Sequence, residues 1–140
     1  MLVREVMTRS PETLKPSDTL SYALELMIRF DIRELPVVKD DRLVGIITDR
    51  DIKMLLGPGA STVDESLLSE AALDIEVSEV MTADPETIAP NTGLSSACRI
   101  LVEFRIGALP VVNPEQGKLV GILSVTDCLA QAAALFEELE

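Results

Sequence analysis

The sequence contains no histidine and no tryptophan, and its aromatic residues are one tyrosine and three phenylalanines. Without histidine the chain lacks the commonest general base and the commonest metal ligand of proteins. Its two cysteines, Cys98 and Cys128, do not form a Cys-x-x-Cys pair and lie among apolar neighbours. We therefore predict two buried structural thiols in a reducing compartment, and no metal site.

Basic residues are also few. Lys and Arg number 12 against 24 Asp and Glu, which gives a formal net charge of −12 at pH 7. A surface of that sign repels nucleic acid and anionic lipid, because both are bound by basic residues. No apolar run approaches the roughly 20 residues that span a bilayer, and the N-terminal region lacks a secretory signal pattern. We expect a cytoplasmic protein that binds neither nucleic acid nor membrane.

The chain has enough apolar residues for a core, at 47% of the total, and it contains an internal repeat. A shift of 74 residues places the Val-Met-Thr of 6–8 on 80–82 and the Leu-Pro-Val-Val of 35–38 on 109–112. After a two-residue insertion in the turn at 113–118, the shift becomes 76. The match covers nearly the whole of both halves, so the chain is a tandem duplication.

Each half predicts a βαββα unit, and hence a mixed α+β or α/β fold. A short helical lead-in and a stub of strand precede an amphipathic helix, two apolar strands and a second helix. Pro36 and Pro110 lack a backbone donor, so they should lie near a strand's start or on a sheet edge. A single unit of this size has a marginal core, so we predict that two units pack as a pseudo-two-fold pair.

The repeat also sets the predicted boundaries and the predicted core. The first motif covers 1–56, a linker with a short acidic helix covers 57–76, and the second motif covers 77–140. The first long helix of each half has an apolar stripe with helical spacing, which we assign to the core. These stripes are Leu20, Ala23, Leu24, Met27 and Ile28, and then Leu94, Ala97, Cys98, Leu101 and Val102.

The stretch in which strand becomes helix contains the polar residues of interest. Thr48 and Ser124 each stand three residues before an aspartate, Asp51 or Asp127, at a predicted helix start. The unpaired N–H groups of a helix start suit a phosphate, and the hydroxyl adds a further donor. The aspartate lies on the same side and can accept hydrogen bonds from the two vicinal hydroxyls of a ribose. The same spacing also fits a helix cap with no ligand, so both interpretations stay open.

Two glycines, Gly45 and Gly121, precede the junctions and leave room for close approach of another group. Asp49-Arg50-Asp51 also resembles an Asp-x-Asp metal or phosphoryl-transfer motif. The second copy, Val125-Thr126-Asp127, loses the first acid, and no glycine-rich phosphate loop accompanies either copy. We therefore disfavour that alternative, and we predict that the chain is not an enzyme.

The order and duplication of these motifs resemble a tandem pair of cystathionine-β-synthase (CBS) domains. The resemblance is carried by the Val-Met-Thr lead-ins, the Leu-Pro-Val-Val strands and the stretches 45–51 and 121–127. It covers nearly the whole chain and implies a stand-alone regulatory sensor, with no required cofactor. The implied ligands are adenosine-containing molecules: AMP first, then ADP, ATP or S-adenosylmethionine. The resemblance also implies a disc-shaped homodimer, whereas the regulated partner protein is unknown.

The resemblance further implies two clefts between the motifs, each holding one ligand. The first site would use Thr48, Arg50, Asp51, Thr87, Ile106 and Gly107. The second would use Thr13, Ile32, Arg33, Ser124, Thr126 and Asp127. Because Arg50 and Arg33 have no charged counterpart in the repeat, the sites should differ, although the sequence does not rank them. A ligand-free assembly module, in which the aspartates only cap helices, is the alternative.

Overall fold

The computed structural model describes residues 1–56 and 70–140, with the backbone alone for Leu56, Glu70 and Ala71. The elements in chain order are α1 (Val3–Val6), β1 (Thr8–Arg9), α2 (Leu20–Phe30), β2 (Glu34–Lys39), β3 (Arg42–Thr48), α3 (Asp49–Leu56), α4 (Glu70–Leu73), a 3-10 turn (Val77–Glu79), β4 (Thr82–Ala83), α5 (Leu94–Phe104), β5 (Ala108–Val112), β6 (Leu119–Ser124) and α6 (Val125–Leu139). This is the predicted mixed α/β fold. The predicted linker lies outside the described residues up to residue 69, and α4 occupies the end of its expected helix.

The chain folds as two compact units. One is Glu12–Pro85, here the 12–85 unit, and the other combines Met1–Pro11 with Glu86–Glu140, here the 86–140 unit. These divisions differ from the repeat boundaries because each lead-in joins the sheet of the other half. β1 pairs with β6, and β4 pairs with β3, in both cases antiparallel.

Each unit contains a three-stranded sheet, in the order β2-β3-β4 or β1-β6-β5. The edge positions of β2 and β5 confirm the prediction for Pro36 and Pro110, since an edge strand tolerates a missing donor. On the outer side of β2, Leu14 adds one parallel bridge to Val37. The Leu14 N–H donates to the Pro36 carbonyl at 3.0 Å, so this edge of β2 forms a hydrogen bond that does not require a donor on Pro36.

The apolar stripes form the core of each unit, with one error at the same place in both. Leu20, Leu24 and Ala23 are fully buried in the first stripe, whereas Ile28 is 64% exposed and its counterpart Val102 is 77% exposed. Each residue turns an α-helix by 100°. The eighth position after the stripe's start therefore lies about 80° from it, outside the buried arc. In α2 that arc instead extends through Leu26, which is buried.

No helix in the described ranges, 1–56 and 70–140, has the length and apolar character needed to cross a membrane.

Candidate functional site

The first strand-to-helix junction is closed by a reciprocal pair of hydrogen bonds. The Thr48 N–H donates to Asp51 Oδ2 at 2.9 Å, and the Asp51 N–H donates to Thr48 Oγ1 at 3.1 Å. Ser124 and Asp127 repeat this arrangement with the same two distances. A capping box of this kind satisfies two helix-start amides at once. The predicted capping role is therefore confirmed at both junctions.

A helix start has four amides without an acceptor inside the helix, and three of them are satisfied here. In α3 the capping box takes those of Thr48 and Asp51, and the Asp49 N–H donates to the Arg33 carbonyl at 2.9 Å. In the described part of the chain, the Arg50 N–H is the one left without an acceptor. The α3 junction thus presents one open amide, at the second helical position.

The α6 junction gives the same count. The Val125 N–H donates to the Gly107 carbonyl at 2.9 Å, and the capping box takes the amides of Ser124 and Asp127. Among the described residues this leaves the Thr126 N–H without an acceptor. The two junctions are therefore equivalent in backbone geometry, and they differ only in side chains.

Capping does not use up the polar groups of the junction. The Thr48 hydroxyl accepts from a backbone amide, so its own proton stays available as a donor. One carboxylate oxygen of Asp51 accepts from Thr48, and the other keeps its acceptor positions. The box thus holds an amide donor, a hydroxyl donor and a carboxylate acceptor side by side. Capping and ligand binding are compatible at the same residues.

The structure places four of the other predicted residues beside the junction of their own half, and the two threonines next to β2 and β5. The Arg33 carbonyl bonds to the start of α3, so Ile32 and Arg33 adjoin Thr48 and Asp51 within the 12–85 unit. The Gly107 carbonyl does the same for α6, which brings Ile106 and Gly107 to Ser124 and Asp127. Thr13 and Thr87 directly precede Leu14 and Ile88, which bridge to β2 and β5. The grouping into clefts that draw on both motifs stays a prediction.

The two junction glycines accommodate protein rather than leaving open space. A Cβ on Gly121 would lie 2.6 Å from Met7 Sδ and 2.9 Å from the Thr8 carbonyl oxygen. A Cβ on Gly45 would overlap Met81 Sδ and lie 3.0 Å from the Thr82 carbonyl oxygen. The predicted close approach is confirmed, and the approaching group is the lead-in of the other half. Gly45 and Gly121 therefore serve the fold.

Sequence reasoning missed a charged pair on α3. Lys53 Nζ lies 3.5 Å from Asp49 Oδ2, and both side chains are mostly buried. The four-residue spacing within a helix was the available signal. The pair neutralises the one acid at this helix start that is not held in the capping box. The side chains of Arg50 and Arg33 are exposed and make no hydrogen bond or ion pair with any other residue that the structure describes.

The two cysteines lie close together in the 86–140 unit, on α5 and α6, and neither forms a disulfide. Both are half-buried, so the prediction of buried thiols is only partly correct. Burial, and next a hydrogen bond with the Cys98 thiol, raise the pKa of Cys128 to about 12. Cys128 is therefore a protonated packing residue at neutral pH.

An open groove of about 550 Å³ lies in the 12–85 unit, away from the junction. It is lined by the hairpin turn between β2 and β3 and by the segment before α2. Its two lysines, Lys15 and Lys39, are offset by Asp40 and Asp41. Thr48 pairs with Glu34 at the start of β2, whereas the groove lies at the end of β2. The groove therefore does not contribute to the junction.

The structure thus contains two α/β units, each with a capped strand-to-helix junction that offers two donors and an acceptor. Comparison with known proteins gives the family. The family model described as CBS domain matches residues 3–57 and 77–134. The chain therefore belongs to the CBS-domain family and carries two copies of the domain.

Individual relatives agree with this assignment. A CBS domain-containing protein of Dictyostelium discoideum is 33% identical, over 92% of this chain and 89% of its own length. The inosine-5'-monophosphate dehydrogenase of Thermoplasma acidophilum is 36% identical over 94% of this chain, which corresponds to only 22% of the dehydrogenase. The chain thus spans about a fifth of the dehydrogenases that it matches.

A solved structure described as CBSX2 in complex with AMP shares the fold. It superimposes with a TM-score of 0.80 and 28% identity, over 96% of this chain and 97% of that one.

Proposed function

We infer that this chain is a regulatory module that binds an adenine nucleotide at its strand-to-helix junctions. The observation that carries the proposal is the open amide beside the capping box, at Arg50 and at Thr126. An N–H at a helix start favours an anionic oxygen, through its hydrogen bond and through the helix dipole. The AMP complex of CBSX2 supports the choice of ligand class.

In this proposal the α3 junction binds a nucleoside phosphate through adjacent groups. The phosphate accepts from the Arg50 N–H and the Thr48 hydroxyl, and the free oxygen of Asp51 accepts from the ribose hydroxyls. The half-buried Ile32 and Ile106 offer apolar contact to a base. AMP is preferred over ADP and ATP because the few nearby cations do not balance a polyphosphate. The Ser124 to Asp127 junction offers the same ribose acceptor through the free oxygen of Asp127.

The proposed role is regulation rather than catalysis. The junction offers hydrogen-bond donors and an acceptor, and its hydroxyl and its carboxylate are both engaged in the capping box. A ligand regulates only if it binds two conformations with different affinity, so nucleotide binding would shift the population of one of them. We propose that this shift changes the activity of a partner protein, or of a larger protein that contains the module.

Isothermal titration calorimetry tests the proposal. The full chain is titrated with AMP, ADP, ATP and S-adenosylmethionine, and the control is the double variant Asp51→Asn/Asp127→Asn. The asparagine oxygen still accepts from the Thr48 or Ser124 amide, while the second acceptor oxygen becomes an amide nitrogen. We expect saturable binding of AMP to the wild type and none to the double variant. Absence of binding at millimolar AMP contradicts the proposal.

A second candidate function, assembly, is favoured by the surface of α6. No residue of this 15-residue helix is buried, and Leu129, Leu135 and Phe136 are exposed. Large apolar side chains along one helix usually mark a contact surface. We propose a homodimer that covers them. Sedimentation velocity of the wild type should give a dimer that Leu135→Glu/Phe136→Glu dissociates, and a concentration-independent monomer would contradict this.

A further inference from the structure

We propose that the two junctions select different ligands: the α3 junction an adenosine phosphate, and the α6 junction an uncharged adenosine compound. This rests on the proposed function and adds to it the chemical class taken at each junction. The backbone donors are the same at both, so the difference must come from side chains within reach of the open amide.

Cationic side chains occupy the positions around the open amide in one unit only. The α3 junction has three cations and three acids: Arg33, Glu34 (which pairs with Thr48 in the ladder), Asp49, Arg50, Asp51 and Lys53. The equivalent positions of the α6 junction, in the same order, are Gly107, Ala108, Val125, Thr126, Asp127 and Leu129. The first set has a formal charge of 0 and the second a formal charge of −1. A phosphate dianion therefore meets two arginines at the α3 junction, whereas the only charge in the second set is the aspartate that repels it.

The placement of Arg33 is what decides the ranking. From the repeat alone, Arg33 and Arg50 could favour different junctions and cancel each other. In the structure the Arg33 carbonyl accepts from the Asp49 N–H at 2.9 Å, so both arginines adjoin the same helix start. Asp49, the acid that would oppose a phosphate, is paired with Lys53 at 3.5 Å. The α3 junction therefore presents two exposed guanidinium groups, while Asp49 is held in the ion pair and Asp51 in the capping box.

The α6 junction presents apolar surface in the same positions. Val125 is 38% exposed and Leu129 is 62% exposed, where α3 has the ion pair. Asp127 keeps an acceptor for a ribose, and no cation occupies positions 107, 125, 126 or 129 to offset its negative charge against a phosphate. Adenosine, which presents the same base and ribose as AMP without the charge, suits this junction.

The test measures AMP and adenosine at one junction at a time in the full chain. Asp127→Asn isolates the α3 junction, and Asp51→Asn isolates the α6 junction. We expect AMP to bind more tightly than adenosine at the α3 junction, and adenosine to bind at least as tightly as AMP at the α6 junction. The pair Arg33→Gly/Arg50→Thr gives α3 the side chains of α6 at these positions. It should weaken AMP by about tenfold and adenosine by less than about twofold.

Two further variants sharpen the result. Thr126→Arg should raise the preference for AMP over adenosine at the α6 junction. Arg42→Thr removes the same charge from the far end of β3, about 20 Å from Thr48, well beyond the Debye length, and should change neither affinity. An equal ratio of AMP to adenosine affinity at the two junctions overturns this inference and leaves the proposed function standing. No binding of either ligand at either junction overturns both.

Discussion

Replacing Asp51 by asparagine separates capping from ligand binding, because the two roles use different oxygens of one carboxylate. Oδ2 accepts from the Thr48 N–H at 2.9 Å, and the other oxygen is the proposed ribose acceptor. Asparagine keeps the capping bond and loses the charge and the second acceptor, whereas alanine loses all three. The two variants should therefore differ in stability and agree in ligand binding.

The magnitudes follow from these contacts. Asp51→Ala removes a cap bond and a favourable charge at a helix start, at a cost of about 1–2 kcal/mol. Asp51→Asn removes mainly the charge, at about 0.5 kcal/mol. For a chain of this size these costs lower Tm by roughly 5 °C and roughly 2 °C. Loss of a charge-assisted bond to a ribose should weaken AMP at this junction by at least about tenfold in both variants.

Scanning calorimetry without ligand and titration calorimetry with AMP measure the two effects, with Asp127→Asn present in every sample. The matched control is Asp18→Asn, since Asp18 also accepts a backbone N–H in the 12–85 unit but lies at the other end of β2 from the junction. If Asp51→Asn retains the AMP affinity of its parent while Asp51→Ala loses it, the carboxylate acts only through the cap. That result would refute the proposed ribose contact.

Three other predictions concern packing and thiol chemistry. Gly45→Ala should cost about 1–3 kcal/mol in the free energy of unfolding, because the added methyl overlaps the lead-in methionine; an unchanged denaturation midpoint would contradict this. Leu24→Ala should cost about 2–5 kcal/mol and Ile28→Ala far less, since Leu24 is fully buried and Ile28 is exposed; equal costs would place Ile28 in the core. In Cys98→Ser, the rate of alkylation of Cys128 should still rise with pH above about pH 10 in the native state, because burial raises the pKa of this thiol. In urea, where the thiol is exposed, the rate should already be level above about pH 10. The raised pKa also means that stability falls as pH rises from the unfolded pKa toward the folded one. A native plateau at the same pH as in urea would contradict the shift.

The duplication and the order of the elements were predictable from sequence because they depend on strong local signals. The Leu-Pro-Val-Val strands, the helix at 49–56 and the capping spacing of Thr48 and Asp51 all reappear in the structure. Each depends on residues near one another in the chain, such as a cap three residues away or a proline confined to an edge strand.

The errors and omissions depend on long-range packing. The exposure of Ile28 and Val102 reflects where the buried arc of each helix ends, which the partner elements decide. The exchange of lead-ins between the two sequence halves depends on which sheet accepts Met7 and Met81, and the repeat pattern is the same for either choice. The position of Arg33 beside Asp49 comes from the pairing of β2 with β3. This contact is the basis for ranking the two junctions, which the sequence predicts to differ but does not rank.

The central claim is that the open amides at the second helical position bind a nucleotide, and amide NMR tests it most directly. The backbone N–H resonance of Arg50 is followed in the full chain during titration with AMP and then with adenosine. The account predicts a saturable downfield shift with AMP that adenosine does not reproduce and that Asp51→Asn weakens. An Arg50 N–H resonance that does not shift when AMP saturates the protein would contradict the account. A protein that millimolar AMP does not saturate, with the Arg50 N–H resonance unchanged, would also contradict it.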